Sequence, residues 1–257
     1  MFSKFKTCIA ITSLALITTA CSTTSTTYKT NDDNTALETY NHAMYDFNQQ
    51  FYKYILKPAA RGYRKITNKY TRERISNALL NVKEPIFAVN HLLQGDPVQS
   101  GKSIARFLIN STLGIAGTYD VAEKGWNLPK EKTGFDDTLA TWGVPDGPYL
   151  ILPFIGPSTP RATAGLIGDG AINPIYWATA NDANIQAKIY YPYMAINAVS
   201  NYEAGMDILD DLERNSVDFY STMKSAYLQN RKGKETEAND VSSYDFDMDE
   251  YEDDENY

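Results

Sequence analysis

Between residues 133 and 161 the chain meets a helix breaker every few residues. Gly134, Gly143, Gly147 and Gly156 alternate with Pro145, Pro148, Pro153, Pro157 and Pro160, and no long helix fits such a pattern. The same stretch carries Phe135, Leu139, Trp142, the run Tyr149 to Leu152, Phe154 and Ile155, so it is too apolar to be a solvated linker. A segment that cannot be helical and cannot stay in water must fold into a compact loop or hairpin buried in protein or lipid. Tyr149 to Phe154 is the best strand pattern in the chain, and it is short.

The two ends read differently from the body. Lys4 and Lys6 precede a mostly apolar run, Cys8 to Thr19, of about the length of a secretory h-region and too short to span a bilayer. Thr18-Thr19-Ala20-Cys21 follows and looks like a bacterial lipobox, with Thr18 where Leu is usual. Two readings stand: acylation of Cys21, or an ordinary cut near Ala20 that leaves a free thiol. Residues 1–20 are thus read as a leader and 21–36 as a tether, Ser- and Thr-rich from Ser22 to Thr30. Cys21 is the sole cysteine of the mature chain, so an internal disulfide is excluded and stability must come from packing. At the other end, residues 233–257 hold eleven acids and one base, Lys234. Setting this tail and the leader's lysines aside leaves the body neutral, although the whole chain carries 24 bases against 32 acids. The tail reads as disordered and solubilising, with a basic partner surface as the alternative. An acidic chain argues against nucleic acid as partner.

The body, 37–232, reads as one helical domain. Leu37, Tyr40, Met44, Phe47, Phe51 and Tyr54 step by three and four, giving an amphipathic helix that ends at Pro58. Ile75, Leu79, Val82, Ile86 and Leu93 repeat the pattern, with a kink at Pro85. Asp96-Pro97-Val98-Gln99 is a helix start, with Asp as cap and Pro in the first turn, and that helix closes near Gly114 or Gly117. A final long helix runs from about Ile185 to Lys232, with a break near Pro192. Such stripes suit a protein core as well as a membrane face. Nineteen Tyr, ten Phe and three Trp suit a membrane interface, and no mature segment holds eighteen consecutive apolar residues. Lys53, Lys57, Arg61, Arg64, Lys65, Lys69, Arg72 and Arg74 face only Glu73 within their stretch; they suit lipid phosphates or a solvated, locally paired face.

Catalytic patterns are scarce. His42 and His91 have no metal-ligand spacing, and there is no G-x-S-x-G elbow. Gly95 to Ser103 imitates a phosphate loop but has five residues between its glycines and contains Pro97. Asp136-Asp137 is a carboxylate pair without a visible base, and adjacent side chains rarely converge. The reading is therefore of a protein that is not an enzyme and has neither cofactor nor metal.

Several of these segments together resemble one family. Thr138-Leu139, Trp142-Gly143-Val144, Gly147-Pro148-Tyr149-Leu150, Leu152-Pro153 and Gly156-Pro157-Ser158-Thr159 with Arg161 fit the signature of the MlaA (VacJ) outer-membrane lipoproteins. Leu37-Glu38 through Asn48 resembles that family's opening, with Tyr40-Asn41 as its aromatic–Asn pair. Asn90 to Gly95, Arg106-Phe107 with Asn110, and Asp120-Val121-Ala122 resemble three further motifs. The resemblance covers about residues 37–231. It implies an all-α domain of amphipathic helices arranged as a ring around a channel, seated in the inner leaflet of the outer membrane. It further implies a lipid anchor at Cys21 and a periplasm-facing role in phospholipid transport: mislocalised phospholipids leave the outer leaflet for a periplasmic MlaC-like carrier, beside a porin trimer. A structural, porin-associated lipoprotein without transport is the other reading. Tyr40 and Asn41 on the first helix, and Trp142, Gly143, Val144, Pro145, Gly147, Pro148 and Tyr149 in the loop, are the implied channel and gating residues.

Overall fold

The computed structural model describes residues 35–248. The leader, Cys21, the polar tether before Thr35 and the tail's last residues, 249–257, lie outside the described residues.

Helix α1 (Thr35–Phe51) continues without a stop through one π turn (Tyr52–Leu56) into α2 (Lys57–Ile66). The expected end at Pro58 does not occur. Pro58 sits in the first turn of α2, and the wider turn before it takes up the register, with Lys57 N–H bonding the carbonyl of Tyr52. Asn68 caps α3 (Lys69–Asn81) by accepting from Thr71 N–H. Pro85 was expected to kink a longer helix; instead it lies in the first turn of α4 (Glu84–Leu93), and the chain breaks before it at Val82–Lys83. Asp96 caps α5 (Pro97–Thr112) as its sequence announces, accepting from Gln99 N–H at 2.9 Å. Asp120 caps the short α6 (Val121–Trp126), and α7 (Phe135–Thr141) follows.

Strands β1 (Leu150–Leu152) and β2 (Gly156–Ser158) make an antiparallel hairpin with Leu150 opposite Ser158 and Leu152 opposite Gly156. Its three-residue turn holds Phe154 in the left-handed region at φ 67°. The chain ends in α8 (Pro160–Ala171), α9 (Pro174–Thr179), α10 (Ala183–Asn215) and α11 (Phe219–Met248). The expected break at Pro192 falls instead at residues 216–218. Pro192 lies on an exposed side of α10, where a lost backbone bond is readily solvated. Helix α11 also outruns its expected end at Lys232. Its backbone is helical from 233 to Met248, inside the acidic stretch 233–257.

The architecture is all-α apart from the one hairpin. Helices α4 and α5 pair, α7 lies on α8, and α10 runs beside α2 and α3. A Cβ at Gly165 would come 2.6 Å from the backbone nitrogen of Asp136, so α8 approaches α7 more closely than any side chain there would allow. An apolar cluster of Tyr149, Ile151 and Tyr220, flanked by Met44, Tyr45, Met223, Tyr227 and Leu228, joins hairpin, α1 and α11. Elsewhere the interior is mostly polar, with Ile86, Phe87 and Met206 its larger apolar members. Among the described residues, buried polar side chains outnumber buried apolar ones, while Leu92, Ile104, Leu108, Leu113, Ile167, Trp177 and Ile189 are among many large apolar side chains left exposed. That is the reverse of the ordinary water-soluble arrangement.

Candidate functional site

The Gly/Pro-rich segment is held in place by side chains from both ends of the domain. On α1, Asn41 donates from Nδ2 to the carbonyl of Tyr149 (3.1 Å), and its Oδ1 accepts from Ile151 N–H (2.9 Å). Asn48 repeats the motif: Nδ2 donates to the carbonyl of Leu152 (2.9 Å), and Oδ1 accepts from Phe154 N–H (2.7 Å). Both amides are buried, 1% and 2% exposed. Together they bond four backbone groups along β1 and its turn, the Tyr149 and Leu152 carbonyls and the Ile151 and Phe154 N–H groups. A primary amide offers a donor and an acceptor side by side without carrying charge.

Helix α11 closes over the other side. Tyr220 donates to Glu38 Oε1 (2.8 Å) and Lys224 reaches Glu38 Oε2 (3.1 Å), while the His42 ring stacks on Tyr220 at 4.1 Å. Burial opposes ionisation of Glu38, but the bonds from Tyr220 and Lys224 outweigh it and hold the carboxyl below its usual range. Burial, reinforced by Glu38, pushes the Tyr220 phenol far above its usual value. One helical stretch further on, Arg231 donates to Asp136 Oδ2 (2.9 Å) and to both oxygens of Asp146. Arg161 also meets Asp136 (3.1 Å) and Asp146 (3.0 Å). Asp146 stays ionised despite burial because Arg231 and Arg161 flank it. Two arginines and two aspartates thus tie α7, the loop before the hairpin, α8 and α11 into one latch.

A third assembly lies between α4, α5 and α6. Arg106, 1% exposed, donates to Glu84 Oε1 (2.8 Å), to Asp120 Oδ2 (2.9 Å) and to the carbonyl of Leu128. Asn110 donates to Asp120 Oδ1 (3.0 Å) and accepts from Ala122 N–H (2.9 Å). Burial raises the Glu84 carboxyl against the pull of Arg106, whereas Asp120, buried too, is driven low by bonds from Arg106 and Asn110. Beside it Thr138 donates to Asn90 Oδ1 (2.9 Å), and Asn90 donates to Asp169 (3.0 Å).

Of the residues singled out from sequence, the fold brings Asn41 and Tyr149 together. Tyr40 is exposed and outside that contact. Trp142 donates from Nε1 to the carbonyl of Leu93 and packs edge-on to Phe135, away from α1. Gly143, Val144, Pro145, Gly147 and Pro148 are exposed. Gly147 adopts φ 80° with Pro160 against it, so a side chain there would strain the backbone and press on the Pro160 ring. Asp136 and Asp137 diverge: Asp136 joins the latch, and Asp137 accepts from Gly134 N–H to start α7. The basic stretch divides. Lys57 pairs with Asp210, Arg64 with Glu203 and Asp207, and Arg72 with Glu203, while Lys53, Arg61, Lys65 and Lys69 are exposed. Asn48 and Arg231 were not anticipated. Asn48 repeats Asn41 seven residues on along one helix face, a signal that was available; Arg231 gave none. Among the described residues no cluster of His, Cys, Asp or Glu suits a metal, and no helix is long and apolar enough to cross a membrane.

The family model for the MlaA lipoprotein matches residues 33–234, the span that contains the clamp, the latch and the buried ionic centre. The chain belongs to the MlaA lipoprotein family. It is 30% identical over 246 residues to the intermembrane phospholipid transport system lipoprotein MlaA of Haemophilus influenzae, covering 93% of this chain and 94% of that one. The protein of the same name in Escherichia coli is 34% identical over 233 residues, 86% of each chain. An uncharacterized protein of Rickettsia felis is 38% identical over 196 residues, 76% of this chain and 75% of that one. A solved structure from work on the structural basis for maintenance of bacterial outer membrane lipid asymmetry is similar, with a TM-score of 0.63 and 32% identity, over 76% of this chain and 95% of that chain. The MlaA match therefore takes in α1 to α10 and the part of α11 that carries Tyr220, Lys224 and Arg231.

Proposed function

We propose that this chain is an intermembrane phospholipid transport lipoprotein that maintains outer-membrane lipid asymmetry. It takes stray phospholipid from the outer leaflet and passes it to a soluble MlaC-like carrier. The observation that carries the reading is the reversed distribution of side chains, apolar outside and polar within. An apolar exterior is stable against acyl chains, and a polar interior offers head groups a path that hydrocarbon denies them. The MlaA name of the H. influenzae and E. coli relatives supports the cargo. In this reading Cys21 carries the anchor, and the helices lie in the inner leaflet as a ring around a channel, beside a porin trimer. The hairpin clamped by Asn41 and Asn48 closes that channel, with Trp142 to Tyr149 at its mouth. The test is transfer of labelled phospholipid from vesicles holding the full chain to the purified carrier. Transfer well above protein-free vesicles is expected. Porin co-purification without any transfer would instead establish a structural lipoprotein.

A further inference from the structure

A groove on the outside of the domain has the chemistry of a lipid site distinct from the hairpin. Its floor is apolar, formed by Ile75, Ala78 and Leu79 of α3 and by Ile196 of α10. Its volume is about 380 Å³, within the range of roughly 300–1,000 Å³ usual for small-molecule sites. One end is not apolar. There the Arg74 guanidinium lies against two rings, 4.6 Å from the centroid of Tyr70 and 4.4 Å from that of Tyr119. Two cation–π contacts restrain the planar group and leave its N–H groups to make hydrogen bonds.

Those groups are poorly used. Arg74 makes one long bond, from Nη1 to the carbonyl of Thr118 at 3.3 Å, and its nearest carboxylate, exposed Glu73, is 3.9 Å away. Its Nε is buried and without a hydrogen-bond partner among the described residues, so the Nη groups are the donors left for a ligand. Arg64 and Arg72 on the same basic stretch are, by contrast, engaged by Glu203 at 2.7 and 3.2 Å. The hydroxyls of Tyr70 and Tyr119 meet at 2.6 Å. In such a pair one hydroxyl donates to the other, and the acceptor's own hydrogen stays free to point outward. A planar cation whose one carboxylate partner is exposed and 3.9 Å away, a spare O–H and an adjoining apolar trough match an amphiphile with an anionic head, because guanidinium N–H groups bind phosphate.

We propose that this groove holds one acyl chain of a phospholipid whose phosphate sits on Arg74 and the Tyr70–Tyr119 hydroxyl pair. The proposal rests on the transport reading for its cargo and adds a specific lipid position to it. The full chain would be reconstituted in nanodiscs doped with phosphatidylglycerol bearing a diazirine on one tail, or with diacylglycerol bearing the same tails. After illumination, labelled peptides are mapped by mass spectrometry. The phosphate-bearing probe should label peptides containing Ile75 to Leu79 or Ile196 at least fivefold more than diacylglycerol does. Arg74→Gln should reduce that labelling to the diacylglycerol level, and Ala78→Trp should remove it for both probes. Labelling around Ile104 and Leu108 on α5 should stay constant and reports that each variant is folded and inserted. Equal labelling of the groove by the two probes, or wild-type labelling in Arg74→Gln, overturns the proposal. Carrier transfer is measured in parallel: its absence in wild type with groove labelling intact defeats the transport reading alone, and normal transfer without groove labelling defeats the groove alone.

Discussion

Asn41 is a side chain in the place of a neighbouring strand. Removing it as Asn41→Ala strands two backbone groups, the carbonyl of Tyr149 and the N–H of Ile151, in a buried place. Each unsatisfied group costs about 1–3 kcal/mol. The variant should therefore unfold at lower temperature in detergent, by an amount equivalent to about 2–6 kcal/mol, with faster hydrogen exchange at Ile151. Asn41→Asp, measured above the pH at which its carboxyl ionises, keeps the acceptor for Ile151 but turns an anionic oxygen on the Tyr149 carbonyl, so exchange at Ile151 should stay slower than in Asn41→Ala while the Tyr149 side loosens. Equal exchange in both variants would contradict the two-point clamp. Arg106 is the opposite kind of residue. It answers two buried carboxylates at once, and its loss would leave Glu84 buried without its cation, a change that typically costs several kcal/mol.

Among the elements, α11 carries the most separable contribution. Its contacts to the rest of the domain include Tyr220 and Lys224 on Glu38 and Arg231 on Asp136 and Asp146. A chain ending after Lys232 keeps them all and should melt within about 0.5 kcal/mol of full length. A chain ending after Leu228 loses Arg231 and should be weaker by about 2–3 kcal/mol, the scale of charge-assisted hydrogen bonds. It should also show faster exchange through 142–148. Unchanged exchange there would mean that Arg161 alone suffices. Sequence revealed elements where the signal was local. Asp96 and Pro97 announce a helix start whatever surrounds them, and Tyr149 to Phe154 announces β1. Its partner β2 reads Gly-Pro-Ser, which has no strand character and is extended only because β1 lies beside it. The breaks at Val82–Lys83 and 216–218 were hidden for a similar reason: a proline marks where a helix is weak, and packing decides whether it gives way. Pairing was hidden too. Nothing in the spacing of Lys57, Arg64 and Arg72 says that they, and not Lys53 or Lys65, face acids more than 100 residues away on α10. Asn90, Arg106, Asn110, Asp120 and Thr138 were visible as motif residues; that they are the polar interior itself was not.

At the scale of the molecule, the reversed interior ties stability to surroundings. Exposed Leu92, Ile104, Leu108, Ile167 and Ile189 have no reason to stay apart in water, and contact with acyl chains or detergent should raise the melting temperature as any ligand of the folded state does. Periodicity could not separate a core stripe from a membrane stripe, because both obey the same 3.6-residue rule; only the packing shows which stripes are left uncovered. In the proposed setting such a surface would lie along the membrane, and durable attachment then takes a second signal. Cys21→Ser should leave the mature protein without acyl mass and shift a large fraction of it from the membrane pellet to the soluble fraction. A wild-type mature N-terminus that mass spectrometry finds unmodified, or that begins elsewhere, would defeat the lipid anchor.

The two asparagines also make a vernier. Seven residues of helix rise about 10.5 Å, and three residues of extended chain cover about 10 Å. Asn41 to Asn48 is the first interval; the step from the Tyr149–Ile151 bonds to the Leu152–Phe154 bonds is the second. The graduations coincide at those marks and nowhere between. What α1 must conserve between Asn41 and Asn48 is thus count before identity. Many substitutions there leave both marks aligned, but one inserted residue turns the second amide by about 100° and lifts it about 1.5 Å, off the scale of the hairpin.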